Sequence, residues 1–133
     1  MTKTEILAIK PGRELDALIA VKVFNWKEEV NDDGIKIYIS HSGIRHRVES
    51  LPNHSTDIKS ALPIMTKMRI SVICSEDGWY ATVTDDIIHS DVIRRYTYKY
   101  KQVYGKHWAL ADNVPEAICK AALCAVLNRI VGR

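Results

Sequence analysis

The chain of 133 residues has few of the residues that are typical of disulfide-stabilised proteins, of nucleotide-binding proteins with glycine-rich loops or of membrane proteins. Its cysteines number three, at positions 74, 119 and 124, and an odd number without framework spacing argues against a disulfide scaffold and for a reducing compartment. The six glycines are scattered, so no glycine-rich phosphate loop is formed. No apolar run reaches membrane-spanning length, and residues 1–5 do not resemble a signal peptide. We therefore expect a cytoplasmic protein.

Motifs for metal-dependent or nucleophilic chemistry are also missing. Cys119 and Cys124 stand five positions apart on a predicted helix and do not share a face, and no Cys-x-x-Cys or His-x-x-x-His pair occurs. Ser55 follows His54, but nothing around it resembles a nucleophile elbow. Aspartates at positions 57, 85, 86 and 91 could supply paired carboxylates, although aspartate-rich loops are commoner than active sites. We expect no metal, no cofactor and no enzymatic activity.

Composition is ordinary, with 47% apolar and 26% charged residues, as in a soluble globular protein of one domain. The formal net charge of +3 is unevenly distributed. Residues 94–133 contain eight basic and two acidic residues, a local charge of +6. Such a region can attract an anionic partner, although a solvated strand and helix would have the same composition.

The first 53 residues predict two helices and a hairpin arm. A capping box, Thr2-x-x-Glu5, begins a short helix that Pro11-Gly12 interrupts. Apolar residues at helical spacing predict a second helix from about residue 13 to 24. Residues 27–53 form a variable segment, in which a turn at 31–34 precedes an alternating strand at 35–39. Residues 41–47 form a polar, basic loop that could bind a ligand.

Residues 54–130 predict the core, in the order α-β-β-β-α. A helix begins at 54–57 with Ser55 as its N-cap, runs to residue 67 and is kinked by Pro63. Strands follow at 69–74, 79–84 and 94–104, the first two joined by an Asp77-Gly78 turn. Residues 105–108 leave the sheet. Asn113-x-x-Glu116 then begins an alanine-rich helix over 115–127.

These elements predict an α+β fold, a layered α-β-α sandwich in which helices pack on an antiparallel sheet of three to five strands. We expect one domain over residues 1–133, with an N-terminal helical segment at 1–26, the variable segment at 27–53 and the core at 54–130. The strand at 94–104 has a tyrosine face and a basic face. The tyrosine face and the small-residue helix favour a homo-oligomer.

Four stretches resemble the phage ABA sandwich domain family of small phage and prophage proteins. They are residues 11–20 (PGRELDALIA), 55–58 (STDI), 78–79 (GW) and 115–123 (PEAICKAAL). Residues 55–63 and the alanine-rich helix are also similar to the NinX-like proteins of temperate phages. The resemblance implies the α-β-α layered fold and a phage origin, and it implies no particular activity.

The residue types favour anion binding as the function. The predicted helix start offers backbone N–H groups and hydroxyls, basic residues offer charge, and aromatic rings could stack on a base. The candidate ligand-binding residues are Arg45, Arg47, Ser55, Thr56, Asp57, Trp79, Arg94, Arg95, Tyr96, Tyr98 and Lys99. The alternative is that the tyrosines pack beneath the helices and the basic groups are simply solvated.

Two functions remain open. The first is a non-enzymatic phage accessory protein that binds and sequesters or blocks a host factor, either a host protein or an anionic nucleotide signal, in the host cytoplasm. The second is a nucleic-acid-binding accessory protein that uses the basic C-terminal third. The element order is also that of double-stranded RNA-binding domains, but residues 113–116 lack the lysines that those domains use there.

Overall fold

A computed structural model describes residues 1–83 and 107–131, with side chains described as far as residue 127. The first two helices follow the sequence prediction closely. Helix α1 (Lys3–Ala8) begins with the predicted capping box, in which Thr2 and Glu5 exchange hydrogen bonds of 2.9 and 3.1 Å. Helix α2 (Arg13–Leu18) continues without a break into a π-helical turn (Ile19–Val23). The sequence predicted the extent of this second helix but not its wider final turn.

A small antiparallel sheet comes next, in the order β1 (Lys27–Val30), β2 (Lys36–Ile39) and β3 (Arg45–His46). The predicted strand at 35–39 is confirmed as β2, whereas β1 and β3 were not predicted. Part of the expected 41–47 loop is therefore strand. A 3-10 helix (Val48–Ser50) follows, and Tyr38 packs with Ala20 and Leu51 to attach the sheet to the helices.

Helix α3 (Ile58–Met68) begins later than predicted. Its N-cap is Asp57, so the prediction of Ser55 as N-cap is wrong. Ser55 is fully buried and bonds instead to a more distant part of the chain, as described below. Pro63 lies inside the helix, which continues through it to Met68.

The second sheet is antiparallel, in the order β4 (Ile70–Ser75), β5 (Gly78–Val83) and β6 (Trp108–Ala111). The β4–β5 hairpin and its turn are confirmed. Gly78 has a φ of +133°, and a Cβ there would lie 2.6 Å from the Ala111 carbonyl oxygen, so a larger residue would push β6 away. The prediction that Trp108 leaves the sheet is wrong, because it pairs with Thr82. The predicted strand at 94–104 lies outside the described residues.

Helix α4 (Val114–Val131) is the centre of the fold. It contacts the second sheet, α3, the π-helical turn and α1. Its alanines at 117, 121, 122 and 125 are completely buried, so neighbouring elements approach its backbone closely. The predicted alanine-rich helix is confirmed, and it is longer than expected.

Together these elements form the predicted α+β sandwich. The described residues place six strands in two three-stranded antiparallel sheets, where the sequence predicted a single sheet. The main core lies between the second sheet and the helices, and a smaller cluster around Tyr38 supports the first sheet. Within residues 1–83 and 107–131, no helix is both long and apolar enough to cross a membrane.

Candidate functional site

A cleft of about 310 Å³ lies between the first sheet and the continuous helix that α2 and the π-helical turn form together. This volume is within the range of small-molecule sites. Apolar residues of the helix, together with Tyr38 and Val48, form its floor, and charged residues surround them. The lining residues are Arg13, Glu14, Ala17, Leu18, Val21, Lys22, Glu28, Lys36, Tyr38 and Val48.

Tyr38 supplies the aromatic surface of the cleft. Its ring is only 4% exposed, and the backbone places it there because β2 lies against the helix. Burial raises the pKa of the Tyr38 hydroxyl above its ordinary value, and the carboxylate of Glu28 raises it further. The phenol therefore stays protonated at neutral pH and can donate or accept a hydrogen bond.

Two of the cations in the cleft already have partners. The Arg13 guanidinium donates to the Leu51 carbonyl at 2.6 Å and to the Asn53 side chain, and it lies 3.4 Å from the carboxylate of Asp16. Lys36 lies 3.5 Å from Glu28 on the neighbouring strand. These charges are largely compensated inside the protein. Arg13 and Lys36 therefore contribute more to the shape of the cleft than to the attraction of a charged ligand.

Glu14 and Lys22 are different, because neither forms a hydrogen bond or ion pair in the part of the chain that the structure describes. Both are exposed and line the same cleft. They are eight residues apart on one continuous helix, which corresponds to roughly 10–12 Å along its axis. The cleft thus has an unpaired carboxylate and an unpaired ammonium group, with apolar surface between them.

A buried polar network fixes the helix that carries these two residues. Asp16 Oδ1 accepts hydrogen bonds from the amide and the hydroxyl of Ser55, both at 2.8 Å. The Ser55 hydroxyl oxygen in turn accepts from the amide of Gly12 at 2.8 Å. The amide and hydroxyl of Ser55 are therefore engaged, and Ser55 does not offer them to a ligand as the sequence had suggested.

The other predicted ligand-binding residues that the structure describes do not line the cleft. Thr56 is exposed, and Asp57 accepts a hydrogen bond from Ser60 at 3.1 Å. Arg45 pairs with Glu29 at 3.3 Å on the first sheet. Trp79 lies in β5, packed against the main core, and Arg47 is the exposed residue before the 3-10 helix. Outside the described residues lie Arg94, Arg95, Tyr96, Tyr98 and Lys99.

Sequence reasoning missed the residues that form the cleft. The alternation at 35–39 puts Tyr38 on the side of the strand opposite Ile35, Ile37 and Ile39, yet Ile37 and Tyr38 are both buried because the two faces of β2 are covered. Glu14 and Lys22 carried a weak signal, since they flank the apolar positions of the predicted second helix. That signal could not show that a sheet lies opposite them.

The cysteines and acidic residues do not supply a second site. Burial is the main cause that raises the pKa of both the Cys119 and the Cys124 thiols, and Cys74 is exposed. Over residues 1–83 and 107–131, no group of three or more His, Cys, Asp or Glu side chains is placed to hold a metal ion.

Comparison with known proteins gives one match. The model of a family described as the phage ABA sandwich domain matches residues 17–123, which is more than half of the chain. The matched region begins within α2 and ends within α4, so it includes most of the cleft. No curated protein and no solved structure matches the chain.

Proposed function

The chain belongs to the phage ABA sandwich domain family, and from this premise we propose that it is a phage accessory protein that sequesters a nucleotide-like small molecule of the host in its cleft. The observation that carries the proposal is the arrangement of Glu14 and Lys22. They are unpaired groups of opposite charge in a cleft whose floor is apolar and aromatic. A host protein, the other form of the sequestered factor, would need a broader surface than this cleft provides.

A mononucleotide has the matching chemistry. Its phosphate would pair with the Lys22 ammonium, and its base would lie against the apolar floor beside Tyr38. When it is ionised, the Glu14 carboxylate accepts hydrogen bonds and cannot donate them. It therefore favours a base whose edge donates hydrogen bonds. Guanine has two neighbouring N–H donors on one edge, whereas hypoxanthine lacks the exocyclic amine. Guanine nucleotides are therefore the preferred class.

The test is calorimetric titration with GMP, IMP, CMP, cyclic dinucleotides and ADP-ribose. GMP should bind more tightly than IMP. Glu14→Gln and Lys22→Gln should each weaken GMP binding by roughly tenfold or more, because a hydrogen bond to a charged group contributes about 1.5–3 kcal/mol. Glu14→Gln should also reduce the preference for GMP over IMP. Lys59→Gln, which changes an exposed lysine outside the cleft, is the matched control and should leave affinity unchanged.

Two results would contradict the proposal. One is the absence of saturable binding by every nucleotide in the panel, with the protein shown to be folded. The other is nucleotide binding that the two cleft variants and the control affect equally.

Nucleic-acid binding through the basic C-terminal third has less support. Lys120, one of its eight basic residues, is 3% exposed and donates to Glu116 at 2.6 Å and to the Leu7 carbonyl at 2.8 Å. It therefore adds nothing to a surface that could contact phosphates. Binding of an oligonucleotide that weakens steeply as salt rises, and that Glu14→Gln leaves unchanged, would favour this alternative.

A further inference from the structure

The exposed side of α3 is a wide arc of the helix, with Ile58 near one edge and Lys67 near the other, and it carries apolar and basic residues. Ile58 is 44% exposed and Leu62 is 47% exposed, and because they are one helical turn apart they lie side by side. Lys59 and Lys67 are exposed on the same helix, and α3 contains no acidic residue. We call Ile58, Lys59, Leu62 and Lys67 the basic face.

The tip of the first sheet has the opposite character. Val30, at the end of β1, is 64% exposed, more than any other large apolar side chain among the described residues. Asp32 and Asp33 follow it in the β1–β2 turn, and both are exposed. The turn is held by the side chain of Asn31, which accepts from the amides of Asp33 and Ile35. We call Val30, Asp32 and Asp33 the acidic tip.

The charges of these two surfaces have no ion-pair partner within the part of the chain that the structure describes. Glu28 and Glu29 of β1 pair with Lys36 of β2 and with Arg45 of β3, respectively. By contrast, the side chains of Asp32, Asp33, Lys59 and Lys67 have no hydrogen bond or ion pair in the described residues. Each surface therefore has an apolar contact area and two uncompensated charges of one sign.

We propose that a second copy of this chain places its acidic tip on the basic face, so that copies associate head to tail. Pairing two basic faces would bring four lysines together, and pairing two tips would bring four aspartates together, which disfavours a contact between identical surfaces. The tip-to-face contact places Val30 against Ile58 and Leu62, and aspartates against lysines. Each added copy leaves one tip and one face free, so such a contact builds a ring or an open chain.

The first test is the solution mass by light scattering over a range of protein concentrations. The mass should exceed that of one chain at low ionic strength and fall toward it as salt is added, because the contact relies on exposed charges. A mass of one chain at every concentration and salt would overturn the proposal. No nucleotide is needed, so this result is independent of the function proposed above.

Charge reversal tests the pairing itself. A face variant, Lys59→Glu with Lys67→Glu, and a tip variant, Asp32→Lys with Asp33→Lys, should each have the mass of one chain. The variant with all four substitutions should assemble again, because the charges are exchanged and remain complementary. Lys10→Glu, which changes an exposed lysine on neither surface, is the matched control and should assemble like the unmodified chain.

Circular dichroism of each variant separates loss of assembly from loss of folding. Assembly of either double variant at the level of the unmodified chain would overturn the proposal. So would a folded four-substitution variant that stays a single chain.

Discussion

Asp16 shows how one buried side chain can organise several segments. Its carboxylate is 1% exposed and joins helix α2 to the segment before α3 through Ser55. The guanidinium of Arg13 pairs with the second oxygen of the same carboxylate. A buried acceptor with this many partners leaves several donors unsatisfied when it is removed. The network therefore fixes the position of the helix that carries Glu14 and Lys22.

We predict that Asp16→Ala lowers the free energy of unfolding by about 3 kcal/mol, because the Ser55 amide and hydroxyl then lose their acceptor and Arg13 loses its carboxylate. Glu76→Ala, at the exposed turn between β4 and β5, should change it by less than about 0.5 kcal/mol. Urea unfolding followed by circular dichroism measures both. A loss below about 1 kcal/mol for Asp16→Ala would contradict the account.

The Ser55 error shows what the sequence could not reveal at this level. Ser55, Thr56 and Asp57 are all suitable N-cap residues, and they stand directly before an apolar run. The choice among them depends on Asp16, which lies 39 residues earlier in the chain and accepts from Ser55. Local pattern identifies a helix start to within a few residues, and a long-range hydrogen bond then decides its position.

Among the helices and strands, α4 has the most unusual composition. Lys120 lies in an otherwise apolar and buried surface, and its ammonium group reaches the Glu116 carboxylate and the carbonyl of Leu7 in α1. The contact with Leu7 joins residues 113 positions apart. One charged side chain therefore holds α1 against α4.

We predict that Lys120→Met costs about 3–5 kcal/mol of stability, because it leaves the 12%-exposed Glu116 carboxylate without its cation. The double variant Lys120→Met with Glu116→Leu should recover most of this loss, since a buried ion pair can often be replaced by apolar residues of similar size. Urea unfolding of both variants and the unmodified protein gives the comparison. If the double variant is less stable than the single one, the unpaired Glu116 carboxylate is not the cause of the loss in Lys120→Met.

Element prediction succeeded where helical or strand periodicity or turn residues mark an element, and it failed where neither signal is present. The helices predicted at 13–24 and 115–127 and the strands predicted at 69–74 and 79–84 have clear periodicity or turn signals. Strand β1 is exposed along its whole length, so its sequence, KEEV, has no alternation to detect. The cleft lies between β2 and α2, and no local pattern reports which elements face each other.

For the protein as a whole, buried thiols make stability sensitive to alkaline pH. Burial raises the pKa of Cys119, which is 0% exposed, and the carboxylates of Asp16 and Glu116 raise it further. A thiol with a raised pKa in the folded state contributes stability that is complete below its unfolded pKa of about 8.5 and is lost as pH rises above it.

We predict that the free energy of unfolding falls between pH 8 and 10, and that Cys119→Ala removes about 1.4 kcal/mol of this fall per pH unit above about 8.5. The quantity compared is the slope of the free energy of unfolding against pH. Any loss of stability that the substitution causes equally at every pH does not change this slope. Urea unfolding at several pH values provides the measurement. Equal slopes for the variant and the unmodified protein would show that Cys119 ionises as easily in the folded state as in the unfolded one.

The overall charge pattern was only partly readable from the sequence. The count of eight basic residues in the C-terminal third suggested a basic surface, but Lys120 is inside the protein. Conversely, the mild net charge concealed the separation of the acidic tip from the basic face. Composition gives the number of charges, and only the fold gives their neighbours.

The central position of α4 has a consequence for how the protein is made. Ile6, Leu15 and Ile64 belong to the same core cluster as residues of α4, yet all three leave the ribosome long before that helix does. Until residues 114–127 emerge, the nascent chain lacks the helix that forms the centre of the core around them. The core is therefore completed only when α4 has been synthesised, and until then the growing polypeptide is a substrate for chaperones.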